Sequence, residues 1–107
     1  MASAAVDEMI AGTIQTYVQR LAESGIPVWR IYLFGSYARG AATKDSDIDL
    51  AIFLDQDDIE GWREDVELMR LRRDIDLRIE PHAFAKTDFD ETDPYIKEII
   101  DTGQRIV

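Results

Sequence analysis

The sequence contains no cysteine, so neither a disulfide nor a thiolate metal site is open to it. Its single histidine, His82, follows Pro81 and reads as a surface-loop residue. No apolar run approaches the ~20 residues needed for a membrane-spanning helix. Met1-Ala2-Ser3-Ala4-Ala5 carries no basic charge and is followed by Asp7 and Glu8, so no secretory leader is expected. Basic residues are also scarce, 12 Lys and Arg against 22 Asp and Glu, for a formal net charge of −10. Such a surface repels polyanions at long range, which disfavours DNA or RNA as a bulk partner. Repeats, linkers and low-complexity tracts are absent as well. What remains is 107 residues, 46% of them hydrophobic. That suits one domain over residues 1–107 with a modest core, expected in the cytoplasm.

The pattern alternates between helical and strand periods, which predicts an α/β domain with a small mixed sheet of about four strands flanked by helices. Val6, Met9, Ile10, Ile14, Tyr17, Val18 and Leu21 form the stripe of an amphipathic helix, with Asp7 and Glu8 in its first turn and Gly25 and Pro27 as stop signals. Residues 28–34 read as a buried strand that Gly35-Ser36 breaks, and 37–42 as a short helix. Over 47–54, Ile48, Leu50, Ile52 and Leu54 face one way and Asp47, Asp49, Ala51 and Phe53 the other. Ile59, Trp62, Val66 and Met69 predict a second helix with that stripe in the core. Ile75, Leu77 and Ile79 alternate with Asp74, Asp76 and Arg78 and predict a third strand, terminated by Pro81. Asp93-Pro94 reads as an N-cap with proline at the first helical position. Ile96, Ile99 and Ile100 then form a buried stripe, Gly103 ends the helix, and 105–107 make a short last strand.

Two carboxylates at i and i+2 on a strand project from one face, with Cα atoms ~7 Å apart. The opposite face is apolar, so the register is set and Asp47 and Asp49 point away from that core. Like charges this close favour protonation unless a cation intervenes. Mg²⁺ suits the pair, because it takes oxygen ligands and binds one or two carboxylates plus substrate phosphates. Asp76 could add a third ligand if its strand is a neighbour, which would suit two-metal phosphoryl transfer. Gly35-Ser36, between a strand and a helix, offers N–H groups and a hydroxyl to phosphate oxygens, and Arg39 could pair with a phosphate or an aspartate. Each piece has an ordinary reading. Gly-Ser can be only a turn, Asp-x-Asp a solvated face, Asp76 the outer face of an edge strand, Arg39 a structural ion pair and Lys44 a solvated loop residue.

In combination the segment is specific. Gly35-Ser36, Ala38-Arg39-Gly40, a spacer and Ser46-Asp47-Ile48-Asp49-Leu50 resemble the signature of the nucleotidyltransferase superfamily related to DNA polymerase β. The ten residues 37–46 between Gly-Ser and Asp-x-Asp are similar to the spacing in minimal nucleotidyltransferase domains. The resemblance implies a polymerase β-like nucleotidyltransferase fold over essentially the whole chain. It implies ATP as substrate, bound by Gly35, Ser36, Arg39, Asp47 and Asp49, with two Mg²⁺ ions. It also implies a third carboxylate in a Val-Asp-Leu-Val-like context, which Ile75-Asp76-Leu77-Arg78 fits, so Asp47, Asp49 and Asp76 are the expected catalytic and metal-ligating triad. Family members of this size are typically antitoxins of HEPN-domain ribonuclease toxins. The expected reaction is therefore transfer of AMP to a hydroxyl, a tyrosine by resemblance, of that toxin in a hetero-oligomer. With 107 residues taken up by the catalytic module, the acceptor surface is expected to come from a partner. The acidic charge is compatible with docking on a basic RNA-cutting protein. The alternatives are neutralisation of the toxin by occlusion without chemistry, or transfer to a small molecule or an RNA end.

Overall fold

A computed structural model describes residues 2–107, with side chains described from Glu8 onward. The elements are α1 (Ala2–Glu23), β1 (Val28–Phe34), β2 (Ile48–Leu54), α2 (Trp62–Leu71), β3 (Ile79–Ala85), a 3-10 turn (Lys86–Asp88), α3 (Pro94–Thr102) and β4 (Gln104–Arg105). The strands form one mixed sheet in the order β3-β2-β1-β4. β1 runs antiparallel to β2 and β4, while β2 and β3 are parallel and joined through α2. This is the mixed α/β architecture of the polymerase β-like fold.

The alternation in β2 divides the molecule into two cores. Ile48, Leu50, Ile52 and Leu54 face α1 and α2, where Ile10, Ile14, Tyr17, Leu21 and Leu68 close over them. Ala51 and Phe53 face the other way, toward Tyr32, Phe84, Phe89 and the Ile96/Ile99 stripe of α3. Tyr17 anchors the first layer, donating from its buried hydroxyl to the Leu68 carbonyl at 2.7 Å. α3 begins as its sequence predicts, with the Asp93 carboxylate accepting from Tyr95 N–H at 2.9 Å and Pro94 in the first turn. Gly103 follows its last turn, where no side chain fits: a Cβ there would strike the Ile99 carbonyl and stand 2.8 Å from the Leu33 carbonyl.

Several expectations change. On α1, Ile10, Ile14, Tyr17 and Leu21 are buried as predicted, Val18 is partly buried and Met9 is exposed. The side chains of Val6 and Asp7 lie outside the described residues. Residues 35–40 form consecutive turns rather than a helix.

Of the expected stripe, Ile59 packs against the core from just ahead of α2, but the three residues on the helix do not: Trp62 is 67% exposed, Val66 59% and Met69 39%. The helix carries a competing pair, Leu68 with Leu71, and these pack against the sheet together with Ile75 from the turn that follows. Polar hooks beside it settle the choice. The Asp65 carboxylate accepts from Ala83 N–H at 2.7 Å, and Arg72 donates to the carbonyls of Leu77 and Ile79.

The third strand also lies further along than predicted, at Ile79–Ala85 instead of 75–79, and Pro81 sits inside it. β3 is an edge strand, and the N–H groups of Ala83 and Ala85 point outward, to Asp65 and Asp88. Pro81 occupies the same outward phase, so its missing N–H removes no ladder bond. His82 is consequently a strand residue and not a loop residue.

Candidate active site

The turn after β1 and the start of β2 meet at one end of the sheet, where Phe34 pairs with Asp49. Gly35 adopts φ +77°, and a Cβ on it would collide with the Asp49 carboxylate. Glycine is therefore required twice over, for the left-handed backbone and for the close approach of the carboxylate. The turn is held by Arg39 N–H donating to the Gly35 carbonyl at 3.1 Å and Ala41 N–H to the Ser36 carbonyl at 2.9 Å. The N–H groups of Ser36, Tyr37 and Ala38 donate to no backbone carbonyl among the described residues. Successive free N–H groups in a turn form a concavity suited to an anion. Arg39 is exposed beside it, with no ion pair among the described residues.

The spacer orders the aspartates. Ser46 Oγ accepts from Thr43 N–H at 2.9 Å, and Ser46 N–H donates to the Thr43 carbonyl at 3.1 Å. This closes a tight loop immediately before Asp47, leaving Asp47 exposed and Asp49 partly buried on one face. Lys44 is exposed; its carbonyl accepts from Arg78.

Asp76 does not join them on a strand. It lies in the turn ahead of β3, and its carboxylate accepts from the Arg78 N–H at 2.9 Å and from the Arg78 guanidinium at 2.7 Å. Arg78 holds the Asp76 carboxyl below its ordinary range. The same guanidinium donates to the Lys44 carbonyl at 2.9 Å. The Asp76–Arg78 pair thus clamps the loop that delivers Asp47. The alternation across 74–79 had suggested a strand, but these local bonds curl the segment into turns.

Glu80, and not Asp76, stands opposite Asp49 on the neighbouring strand. It pairs with Asp49 across the parallel β2/β3 ladder, so both side chains leave the sheet on one face. His82 follows two residues on, its Nε2 3.8 Å from Asp49 Oδ1. Burial pushes the Asp49 carboxyl up; His82 opposes this, while Asp47 and Glu80 push it further up. Pro81 hides Glu80 and His82 from the sequence pattern, because a proline there reads as the end of a strand. Continuing the alternation through it aligns Glu80, His82 and Phe84 with Asp49, Ala51 and Phe53.

Among the described residues, no three His, Cys, Asp or Glu side chains form a preassembled metal cage. The donor set nonetheless fits Mg²⁺, which is bound by one or two carboxylates with substrate phosphates completing the shell. A cation would also relieve the repulsion that raises Asp49. Asp47 and Asp49 are the residues placed to hold it, with Glu80 beside them.

A strand-turn that exposes backbone donors, set against paired carboxylates on the next strand, is an arrangement suited to nucleotidyl transfer. The chain belongs to the polymerase β nucleotidyltransferase family, whose description "Polymerase beta, Nucleotidyltransferase" matches residues 16–107. It is 35% identical over 71 residues to the protein named "Putative protein adenylyltransferase MJ1379" of Methanocaldococcus jannaschii, covering 66% of this chain and 68% of that one.

Proposed function

We propose that the chain transfers AMP from ATP to a hydroxyl of a partner protein, a HEPN-domain toxin by the resemblance described above. The observation that carries this reading is the packing of the Asp49 carboxylate against the Gly35 backbone, where no Cβ can stand. It joins the anion-binding turn to the carboxylates within the span of one triphosphate. The M. jannaschii relative supports the choice of a protein acceptor by its name.

In this reading the N–H groups after Gly35, the Ser36 hydroxyl and Arg39 bind phosphate oxygens. Asp47 and Asp49 are the residues that would hold two Mg²⁺ ions with the triphosphate, and the ions would offset phosphate charge and make the acceptor hydroxyl more acidic. The acceptor oxygen attacks the α-phosphorus, the bond to the β-phosphate oxygen breaks, and pyrophosphate leaves. Glu80, beside Asp49, takes the hydroxyl proton. The Asp76–Arg78 pair positions the Asp47 loop without touching substrate.

Co-expression with the toxin followed by intact-mass measurement tests the proposal. An AMP adduct on the partner is expected with the wild type and none with Asp47→Asn or Asp49→Asn; no adduct with the wild type refutes it. The exposed Trp62, Val66 and Leu77 surface favours a second reading, neutralisation by occlusion. Full protection of cells by the Asp47→Asn/Asp49→Asn double variant would establish that one.

A further inference from the structure

We propose that the cavity between the Gly35 turn and α3 seats the nucleobase, an aminopurine read through its exocyclic amine. This inference rests on the nucleotidyl-transfer reading and adds to it the base subsite and its selectivity.

The cavity is about 180 Å³ and shares Gly35 and Arg39 with the anion-binding turn. Enclosing a drug-sized ligand takes roughly 300–1,000 Å³. This space therefore suits one flat ring system, with the triphosphate left outside along the carboxylates. Two aromatic rings, Phe34 and Tyr95, line it, with centroids 6.4 Å apart and planes at 85°. One can offer a face to a base while the other meets its edge. Tyr95 is 50% exposed, and its hydroxyl is raised first by burial and then by the charges of Asp49 and Glu98.

Tyr95, Glu98 and Thr102 follow one another at i, i+3 and i+7 on α3, so one stripe of the helix forms the wall. The Glu98 carboxylate receives no hydrogen bond from any described side chain, and the Thr102 hydroxyl donates to the Glu98 carbonyl at 2.7 Å. That bond uses the only proton of the hydroxyl, and an ionised carboxylate has none to give. Around the Tyr95 ring, the Glu98 carboxylate and the Thr102 hydroxyl therefore offer acceptors, and a base edge meeting these two must donate. An exocyclic amine supplies such donors; purine without its amine does not. Arg39 at the mouth offsets the charge that Glu98 brings near a triphosphate.

Titration calorimetry with MgCl₂ present tests this, using ATP, purine riboside 5′-triphosphate, UTP and inorganic triphosphate. The wild type is expected to bind ATP at least tenfold tighter than purine riboside triphosphate or UTP. Tyr95→Ala should weaken ATP roughly tenfold, within the range of one base–aromatic stack, and leave inorganic triphosphate unchanged. Tyr95→Phe should retain ATP affinity, which separates stacking from a folding defect. Glu98→Ala should abolish the preference for ATP over purine riboside triphosphate. If that preference survives Glu98→Ala, or Tyr95→Ala weakens inorganic triphosphate as much as ATP, the base subsite is refuted while nucleotidyl transfer stands. Failure of the wild type to bind either ATP or inorganic triphosphate overturns both.

Discussion

Replacing Gly35 by alanine asks whether the turn and the Asp49 carboxylate are one device. Gly35 sits at φ +77°, where an L-residue pays about 1–2 kcal/mol relative to the right-handed region. Its new Cβ would also collide with the Asp49 carboxylate. The carboxylate must swing off its rotamer, at a further ~0.5–1.5 kcal/mol. The total is roughly 1.5–3.5 kcal/mol, and a domain of this size loses ~4–8 °C of Tm per kcal/mol. The melting temperature followed by circular dichroism in metal-free buffer at pH 7 should therefore fall by roughly 6–28 °C. In an Asp49→Ala background the clash disappears, because the Asp49 Cβ is at an ordinary 3.5 Å from the new methyl. Only the backbone cost then remains, and the cycle should show a coupling of about 0.5–1.5 kcal/mol. Additive losses would refute the contact, and no loss at all would refute the strained turn. In the wild-type background the displaced carboxylate should also reduce nucleotide transfer by at least tenfold.

The raised Asp49 carboxyl has a definite sign. The folded state holds this proton more tightly than the unfolded one, so ionised Asp49 costs stability at neutral pH, and the cost vanishes as pH falls through its folded pKa. Asp49→Asn should therefore melt higher than the wild type at pH 7 without metal, with the gap closing toward pH 4; a lower Tm at pH 7 contradicts the assignment. Asp76 is depressed instead, so its stabilisation is present at neutral pH and lost as pH falls through its folded pKa. Asp76→Asn should lower Tm at pH 7 yet keep activity within about tenfold, whereas Glu80→Gln should cut turnover ~100-fold or more as a lost proton acceptor. The reverse ranking in a pyrophosphate-release assay would return the third carboxylate to Asp76. Tyr17→Phe strands the buried Leu68 carbonyl and should cost ~1–3 kcal/mol in urea unfolding; an unchanged midpoint would show that the bond stabilises nothing.

The legible parts of the molecule share a cause. β1, β2 and α3 are each marked by local signals that agree with the global fold: a β-branched run, a clean alternation, and an Asp-Pro cap. Asp49 was legible for the same reason, since an apolar set of Ile48, Leu50, Ile52 and Leu54 leaves it one direction to point. Where two local patterns competed, periodicity did not choose. α2 carries two apolar stripes, and only the bonds of Asp65 and Arg72 to the β3 edge decide which is buried. The segment 74–79 alternates like a strand, yet Arg78 folds back on Asp76.

The sequence by itself determined the turn, the carboxylate pair and the spacing between them, because these lie on contiguous chain whose geometry follows from strand period and glycine. Tertiary structure decided that Glu80, and not Asp76, stands opposite Asp49, and it built the cavity that Tyr95 and Glu98 line. Glu80, His82, Tyr95 and Glu98 reach the site only through strand pairing and helix docking. Whether a proline can sit within a strand depends on which side of that strand is the sheet's edge, and that is a property of the assembled sheet.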